Sequence, residues 1–355
     1  MKKILLITVV VFATNTDVLC QSTKSIQSFE KLWKLFDERY ASFEEKHIDW
    51  DSMYTVYRPR VTEDMSEMEL FTLSTEMLKP LEDGHVNLIA KSLDTAFSAE
   101  RYSRINDELD PLEGRKKPYV EAMIDHTLSD QGFGSIKKIG TVFQEEDTLF
   151  SYTRTDKIGY LRFFRSFLKI KKMMGSSLDT YLDMIFADFK GVESIIVDVR
   201  FNMGGTDEFS KKVAGRFISE EHLGFTKQTR KKKVFGELKK EFFKPTNDPF
   251  LGPVVLLTND QTVSAADVLA IIMAPLPNVT LIGEPSNGSF SDLYGRRLPN
   301  KWIVTLSNQR YYSVDMKNYE GVGVPVDIMV KNSLEDVETK NDSVLKSAID
   351  YLNKL

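Results

Sequence analysis

Ser264 lies in "NDQTVSAADVLAIIMA" (Asn259–Ala274), where a hydroxyl meets the start of an apolar helical run. Ser264 and Asp267 have the S-x-x-D spacing of a capping box, so one reading is a helix cap. The other is a nucleophile. A serine at a helix N-terminus feels the positive end of the helix dipole, and its unpartnered neighbouring amides can stabilise an oxyanion. Such a serine needs a base. The chain has four histidines, His47, His85, His126 and His222, any of which could be structural, and imidazole is the side chain best suited to move a proton near neutrality. Only His85 follows a constrained Asp83–Gly84 turn. A second stretch, "DVRFNMGGTDEF" (Asp198–Phe209), ends a buried strand in the Gly204–Gly205 pair before a helix opens. Paired glycines there either make a plain strand-to-helix turn or aim backbone N–H groups at developing negative charge. The G-x-x-x-x-G-K-[ST] spacing of a phosphate loop is absent.

The elements around these residues can be read from periodicity. Phe29, Trp33, Phe36, Tyr40 and Phe43 recur at three- and four-residue spacings, which predicts a helix with one aromatic stripe for the core. Ser66 and Glu69 announce a second helix, with Leu70, Leu73, Met77 and Leu81 on one face, ending near Pro80. "EDGHV" (Glu82–Val86) then reads as a turn, and residues 90–150 as a weakly periodic connection. From Lys157 onward the character changes. "KIGYLRFF", "SIIVDVR", "PVVLLTN" and "NVTLIGE" are short β-branched runs, separated by helical patterns at Ser177–Phe189 and Asp207–Ile218. That alternation predicts an α/β domain with a largely buried sheet, and such sheets bind ligands beyond the C-terminal ends of their strands. "WIVTLSNQRYYS" reads as one further, antiparallel strand.

Composition narrows the function classes. The 355 residues are 42% hydrophobic and 28% charged, with net charge −5, which gives no broad field for nucleic acid. The basic run Lys227–Lys233 is flanked by Glu220, Glu221, Glu237 and Glu241 and reads as a solvated loop face. Lys2, Lys3 and the apolar "ILLITVVVFA" (Ile4–Ala13) have the form of an export signal, with cleavage expected after Cys20. Acylation of Cys20 is the competing reading, though Leu19 stands where a small residue is expected. Cys20 is the single cysteine, so cleavage would leave no disulfide, no thiol nucleophile and no cysteine-based metal site. The expected product is soluble and periplasmic or extracellular.

Four blocks, "DVRFNMGG", "VVLLTNDQTVSAADVLA", "TLIGEPSNGSFSD" and "YEGVGVPVDI", resemble the tail-specific or C-terminal-processing serine proteases in order and spacing, from Lys157 to about Val330. The lysine that the bacterial processing branch would place in the "NGSFSD" block is missing, since position 289 is serine. The resemblance is therefore to the tricorn-core-like branch, with a Ser–His–Glu set. It implies Ser264 as nucleophile, His85 in "LEDGHVNL" as base, and Glu320 as the residue that orients the imidazole. Gly204, Gly205 and the Ala265 amide would form the oxyanion hole. It also implies a crotonase-like α/β protease core preceded by a small helical domain. The chain would then divide into a signal peptide (1–20), a helical domain (21–90), a connecting segment (91–156) and the catalytic domain (157–355). The substrate would be a peptide or protein, with no metal and no cofactor. No PDZ-like insert is evident. A non-catalytic module holding a peptide or an apolar ligand on the same scaffold, as in retinoid-binding relatives, is the alternative. Acyl-coenzyme chemistry on the related crotonase-like core fits neither the export signal nor the lack of an adenine-phosphate motif.

Overall fold

The computed structural model describes residues 16–141, 148–167 and 176–355, so most of the expected signal peptide lies outside the described residues. The chain forms two compact units, residues 1–100 with 231–234 and 293–307, and residues 101–230 with 235–292 and 308–355.

In the first unit Phe29, Trp33 and Phe36 lie on the Thr16–Arg39 helix, Tyr40 and Phe43 follow its end, and Phe29, Phe36 and Tyr40 are buried. The second expected helix is Glu67–Leu78, closed by the Ser66–Glu69 capping box and followed by a short 3-10 turn at Lys79–Leu81. Beside the expected helices, this unit holds strands that the sequence reading did not assign. It contains a four-stranded antiparallel sheet in which Asp83–Ala90 pairs with Thr95–Ala99 on one side and Ile303–Ser307 on the other, with Leu293–Arg297 at the edge. Val86, Leu88, Val304 and Leu306 point into the same core as Phe36 and Trp302. "EDGHV" is thus the start of a strand. The Asp83 carboxylate accepts from the His85 N–H, and the strand register shifts between Asp83 and Asn87, so the local turn chemistry makes a bulge and the chain continues as a strand.

The second unit is built on a seven-stranded sheet. Ile328–Met329, Val279–Gly283, Val254–Thr258, Ser194–Asp198 and Ile158–Arg162 run parallel, and Thr148–Arg154 and Lys137–Thr141 continue it antiparallel. Alternate residues go to opposite faces, and both faces are buried. Ile195, Val197, Val254 and Leu256 meet the helices Ser176–Asp188, Asp207–Ala214 and Ala265–Met273. Ile196, Val255 and Leu257 meet Lys116–Asp130 and Ser343–Leu352. Residues 101–134 are therefore more than a connection: Ile105, Leu109, Val120, Ile124 and Leu128 cover one side of the sheet.

"WIVTLSNQRYYS" is two strands. Ile303–Ser307 belongs to the first unit, while Gln309–Tyr312 pairs with His222–Lys231 in the second. The basic run lies largely on that last strand, and Lys227 is held by Asp207 and the Tyr311 hydroxyl, both at 3.1 Å.

Candidate active site

The Val254–Thr258 strand delivers the chain to Ser264 through a loop fixed from both sides. Thr262 Oγ1 donates to the Val199 carbonyl, and the Val263 N–H donates to the Asn202 carbonyl at 2.8 Å. Ser264 stands at the N-cap of the Ala265–Met273 helix with φ 61° and ψ −120°. Ordinary caps occupy the β region, and positive φ is sterically costly for any residue with a Cβ. A capping box with Asp267 is present, as the spacing implied. The serine is nonetheless held in a strained backbone conformation that simple capping does not require.

Gly204 explains the tightness of the turn. A Cβ there would lie 2.5 Å from Ser264 Cβ and 2.9 Å from the Ala265 nitrogen, and its φ is +80°. Only glycine fits. A Cβ at Gly205 would collide with the Ser166 carbonyl. The three expected oxyanion donors are not equivalent. The Gly204 N–H donates to Asn202 Oδ1 at 2.8 Å and is occupied. The amides of Gly205 and Ala265 have no acceptor among the described residues. Gly204 therefore brings the two segments together, and Gly205 and Ala265 carry the open N–H groups.

Three further residues support this arrangement: Asn202 and Arg200, which the sequence reading gave no role, and Asp267, which it gave only as a partner in the cap. Asn202 also donates from Nδ2 to the Phe163 carbonyl, 2.8 Å, which fixes the glycine loop to the neighbouring strand. Arg200 is buried and bonded to both Asp198 and Asp342, with its closest approaches at 2.7 and 2.8 Å. Burial alone would lower its pKa, but the two carboxylates outweigh that and hold the guanidinium charged. Asp267 is the third. It is fully buried and accepts from the amides of Ser264 (2.8 Å), Gly288 (2.8 Å) and Ser289 (3.1 Å). Burial pushes its pKa up to about 6, against the lowering effect of those hydrogen bonds.

Glu320 joins the same assembly through the loop that Asp267 holds. Its Oε2 accepts from the Phe290 N–H at 3.2 Å, and the Gly321 N–H donates to the Gly288 carbonyl at 2.8 Å. A Cβ on Gly288 would meet the Tyr319 carbonyl at 2.7 Å. Ser264, Gly204, Gly205, Ala265 and the Glu320 turn are thus brought together within the second unit.

His85 belongs to the first unit and is buried there. Its carbonyl accepts from Thr305 Oγ1 at 2.6 Å, and its Nδ1 lies 3.4 Å from Ser307 Oγ. The 293–307 hairpin therefore fixes its backbone and faces one ring nitrogen. Alternation in "WIVTLS" gives no hint of that role. His126 bonds the Lys340 carbonyl, and the His222 ring lies against Phe243.

Comparison with known proteins finds relatives of this fold. The model of peptidase family S41 matches residues 157–330, and the tricorn protease C1 domain matches residues 23–79. The carboxy-terminal processing protease CtpA of Bacillus subtilis (strain 168) is 26% identical over 221 residues, which span 59% of this chain and 42% of that relative. The crystal structure of a candidate peptidase from Parabacteroides merdae ATCC 43184 is similar with a TM-score of 0.74 and 27% identity, covering 93% of this chain and 96% of the other. Mature CPAF complexed with lactacystin shares the fold at TM-score 0.66 and 11% identity, with 95% and 100% covered. The segment that presents Ser264 and the glycine pair is the segment the family model matches, and on these findings residues 157–330 are a domain of peptidase family S41, the family of the tail-specific and C-terminal-processing proteases.

Proposed function

We propose that this protein is an exported serine endopeptidase that hydrolyses peptides or proteins through an acyl-enzyme at Ser264. The observation that carries the reading is the strained Ser264 backbone beside two open amides, Gly205 and Ala265. In this mechanism Ser264 Oγ attacks the scissile carbonyl and its proton passes to a ring nitrogen of His85. The carbonyl oxygen becomes an oxyanion at the two amides. The intermediate collapses as His85 returns the proton to the leaving amine, which departs and leaves an ester on Ser264. Water then attacks the ester as His85 takes its proton; the tetrahedral intermediate collapses, His85 returns the proton to Ser264 Oγ, and the acid product leaves. Glu320 orients the imidazole and balances its positive charge. Each amide donor is worth about 3 kcal/mol in the transition state.

The charged and apolar N-terminal stretch supports export. N-terminal sequencing of the protein recovered outside the cytoplasm should begin at Gln21. The activity is tested with a fluorophosphonate, which modifies activated serines. Labelling of the wild type and none of Ser264→Ala supports the peptidase. No labelling of either, with intact folding, favours a binding module on the same scaffold.

A further inference from the structure

Asp83 stands two positions before His85 on the same strand, and it is fully buried. One oxygen, Oδ1, accepts from the His85 N–H at 2.8 Å, the bond by which Asp and Asn side chains fix a turn two residues on. The other, Oδ2, is buried and has no hydrogen-bond partner among the described residues. Asparagine would make the same turn without a charge. Burying a carboxylate with an unmet oxygen is costly, so the charge calls for a reason that the turn does not supply.

The strand sets that carboxylate beside the base. Asp83 and His85 are buried at alternate positions, and the parity then changes, with Val86, Leu88 and Ala90 on the core face. The register against Thr95–Ala99 shifts in the same stretch, which Asn87 Nδ2 closes by donating to the Gly84 carbonyl and to Thr305 Oγ1, both at 3.0 Å. With Oδ1 on the His85 amide, covalent geometry keeps the carboxylate within about 7 Å of the imidazole. The strand Asp83–Ala90 and the two it pairs with, Thr95–Ala99 and Ile303–Ser307, contain no titratable side chain besides Asp83 and His85. On the packed helix Glu67–Leu78 the acids are engaged elsewhere, Glu67 by Ser92, Glu69 by Ser66 and Glu76 by Arg60. Lys79, Glu82 and Glu100, which flank the paired strand ends, are exposed, and Lys46 donates to the Glu82 carbonyl at 3.0 Å. The remaining acid is Glu320, assigned to the ring from the other unit by the mechanism above.

We propose that Asp83 is a positioning residue for the base: its carboxylate fixes the His85 backbone and stabilises the imidazolium formed when His85 takes the Ser264 proton. The inference rests on the peptidase reading above, and it adds to Glu320 a second negative charge carried on the base's own strand. A carboxylate this close favours the protonated ring, which makes His85 a stronger base and lowers the energy of the charged transition state. At about 7 Å in a partly solvated site, such a charge is worth about one unit in the titration of the ring, or about tenfold in rate.

The test uses Asp83→Asn in the full chain, because its side-chain carbonyl can still accept from the His85 N–H while the charge is gone. The rate of fluorophosphonate labelling at Ser264 is followed against pH, together with thermal unfolding. Asp83→Asn should melt no lower than the wild type, since the turn is kept and a buried charge is removed. It should label about tenfold more slowly on the alkaline plateau, and the midpoint of its acid limb should fall by about one unit. A residue that only shaped the turn would leave that midpoint unmoved. Labelling at the wild-type rate, slower labelling with an unshifted midpoint, or a variant that does not fold would each overturn the proposal; the last would mean that the carboxylate serves the fold. The two failures are distinguishable. A wild type labelled at Ser264 and matched by Asp83→Asn loses only the role of Asp83, whereas a folded wild type that takes no label loses the peptidase reading and this inference with it.

Discussion

Ser264 has conflicting demands placed on it. As a cap it needs only an oxygen near the first helical amides, yet its backbone is at φ 61°, where glycine is at ease and serine is strained. Replacing a Ser cap by Gly costs only a few tenths of a kcal/mol, while relief of strain of this kind returns about 1 kcal/mol or more. Ser264→Gly should therefore unfold at a higher temperature than the wild type while hydrolysing no peptide; a lower melting temperature would show that the conformation is unstrained. Gly204→Ala should fail the other way, because its Cβ would meet Ser264, Val263 and Ala265 at once. Its loss of activity should come with loss of stability. Asp267 gives a pH signature. Its pKa in the fold is raised to about 6 by burial, above the unfolded value, so the stability tied to its protonated form is complete below about pH 4 and is lost as pH rises through about 6. The difference amounts to about 3 kcal/mol. The carboxyl carbon of Asp267, followed by NMR, should titrate with a midpoint near 6; a midpoint near 4 would contradict the assignment.

At the scale of elements, the oxyanion loop is held by groups distant in sequence. Arg200 at the end of the Ser194–Asp198 strand is bonded to Asp342, the N-cap of the Ser343–Leu352 helix, and the Asp342 amide in turn reaches Thr127 on Lys116–Asp130. Asp342→Ala leaves Arg200 with Asp198 alone and strips Asn332 Nδ2 and the Leu345 N–H of their acceptor, so it should cost about 3 kcal/mol in urea unfolding. A cost below 1 kcal/mol would mean that Asp198 alone holds Arg200 and the loop. Little of this network could be read from the sequence. The parallel strands could, because runs such as "SIIVDV" and "PVVLLT" are buried on both faces and need no partner to be recognised. The Lys116–Asp130 helix was missed although Val120, Met123, Ile124 and Leu128 form a helical stripe; Thr127 interrupts that stripe, and no side chain caps its start. "WIVTLSNQRYYS" concealed a break for a tertiary reason. The amides of Asn308 and Gln309 both donate to Ser291 Oγ and so leave the ladder, and no local pattern encodes that.

At the scale of the whole molecule, the proposed reaction uses both units, with His85 supplied by one and Ser264, Glu320 and the open amides by the other. The placement of Ser264 beside the glycine pair was readable from four blocks in order. The tertiary supports of His85 were not, because Thr305 and Ser307 come from a hairpin more than two hundred residues downstream. The central claim is that Ser264 is a nucleophile activated by His85. Mass mapping of the fluorophosphonate adduct, in the wild type and in His85→Ala, tests it most directly. The account predicts an adduct on Ser264 in the wild type and labelling slowed by about a thousandfold or more in His85→Ala, because triad members act as a unit. An adduct on another serine, or undiminished labelling of Ser264 in folded His85→Ala, would contradict it.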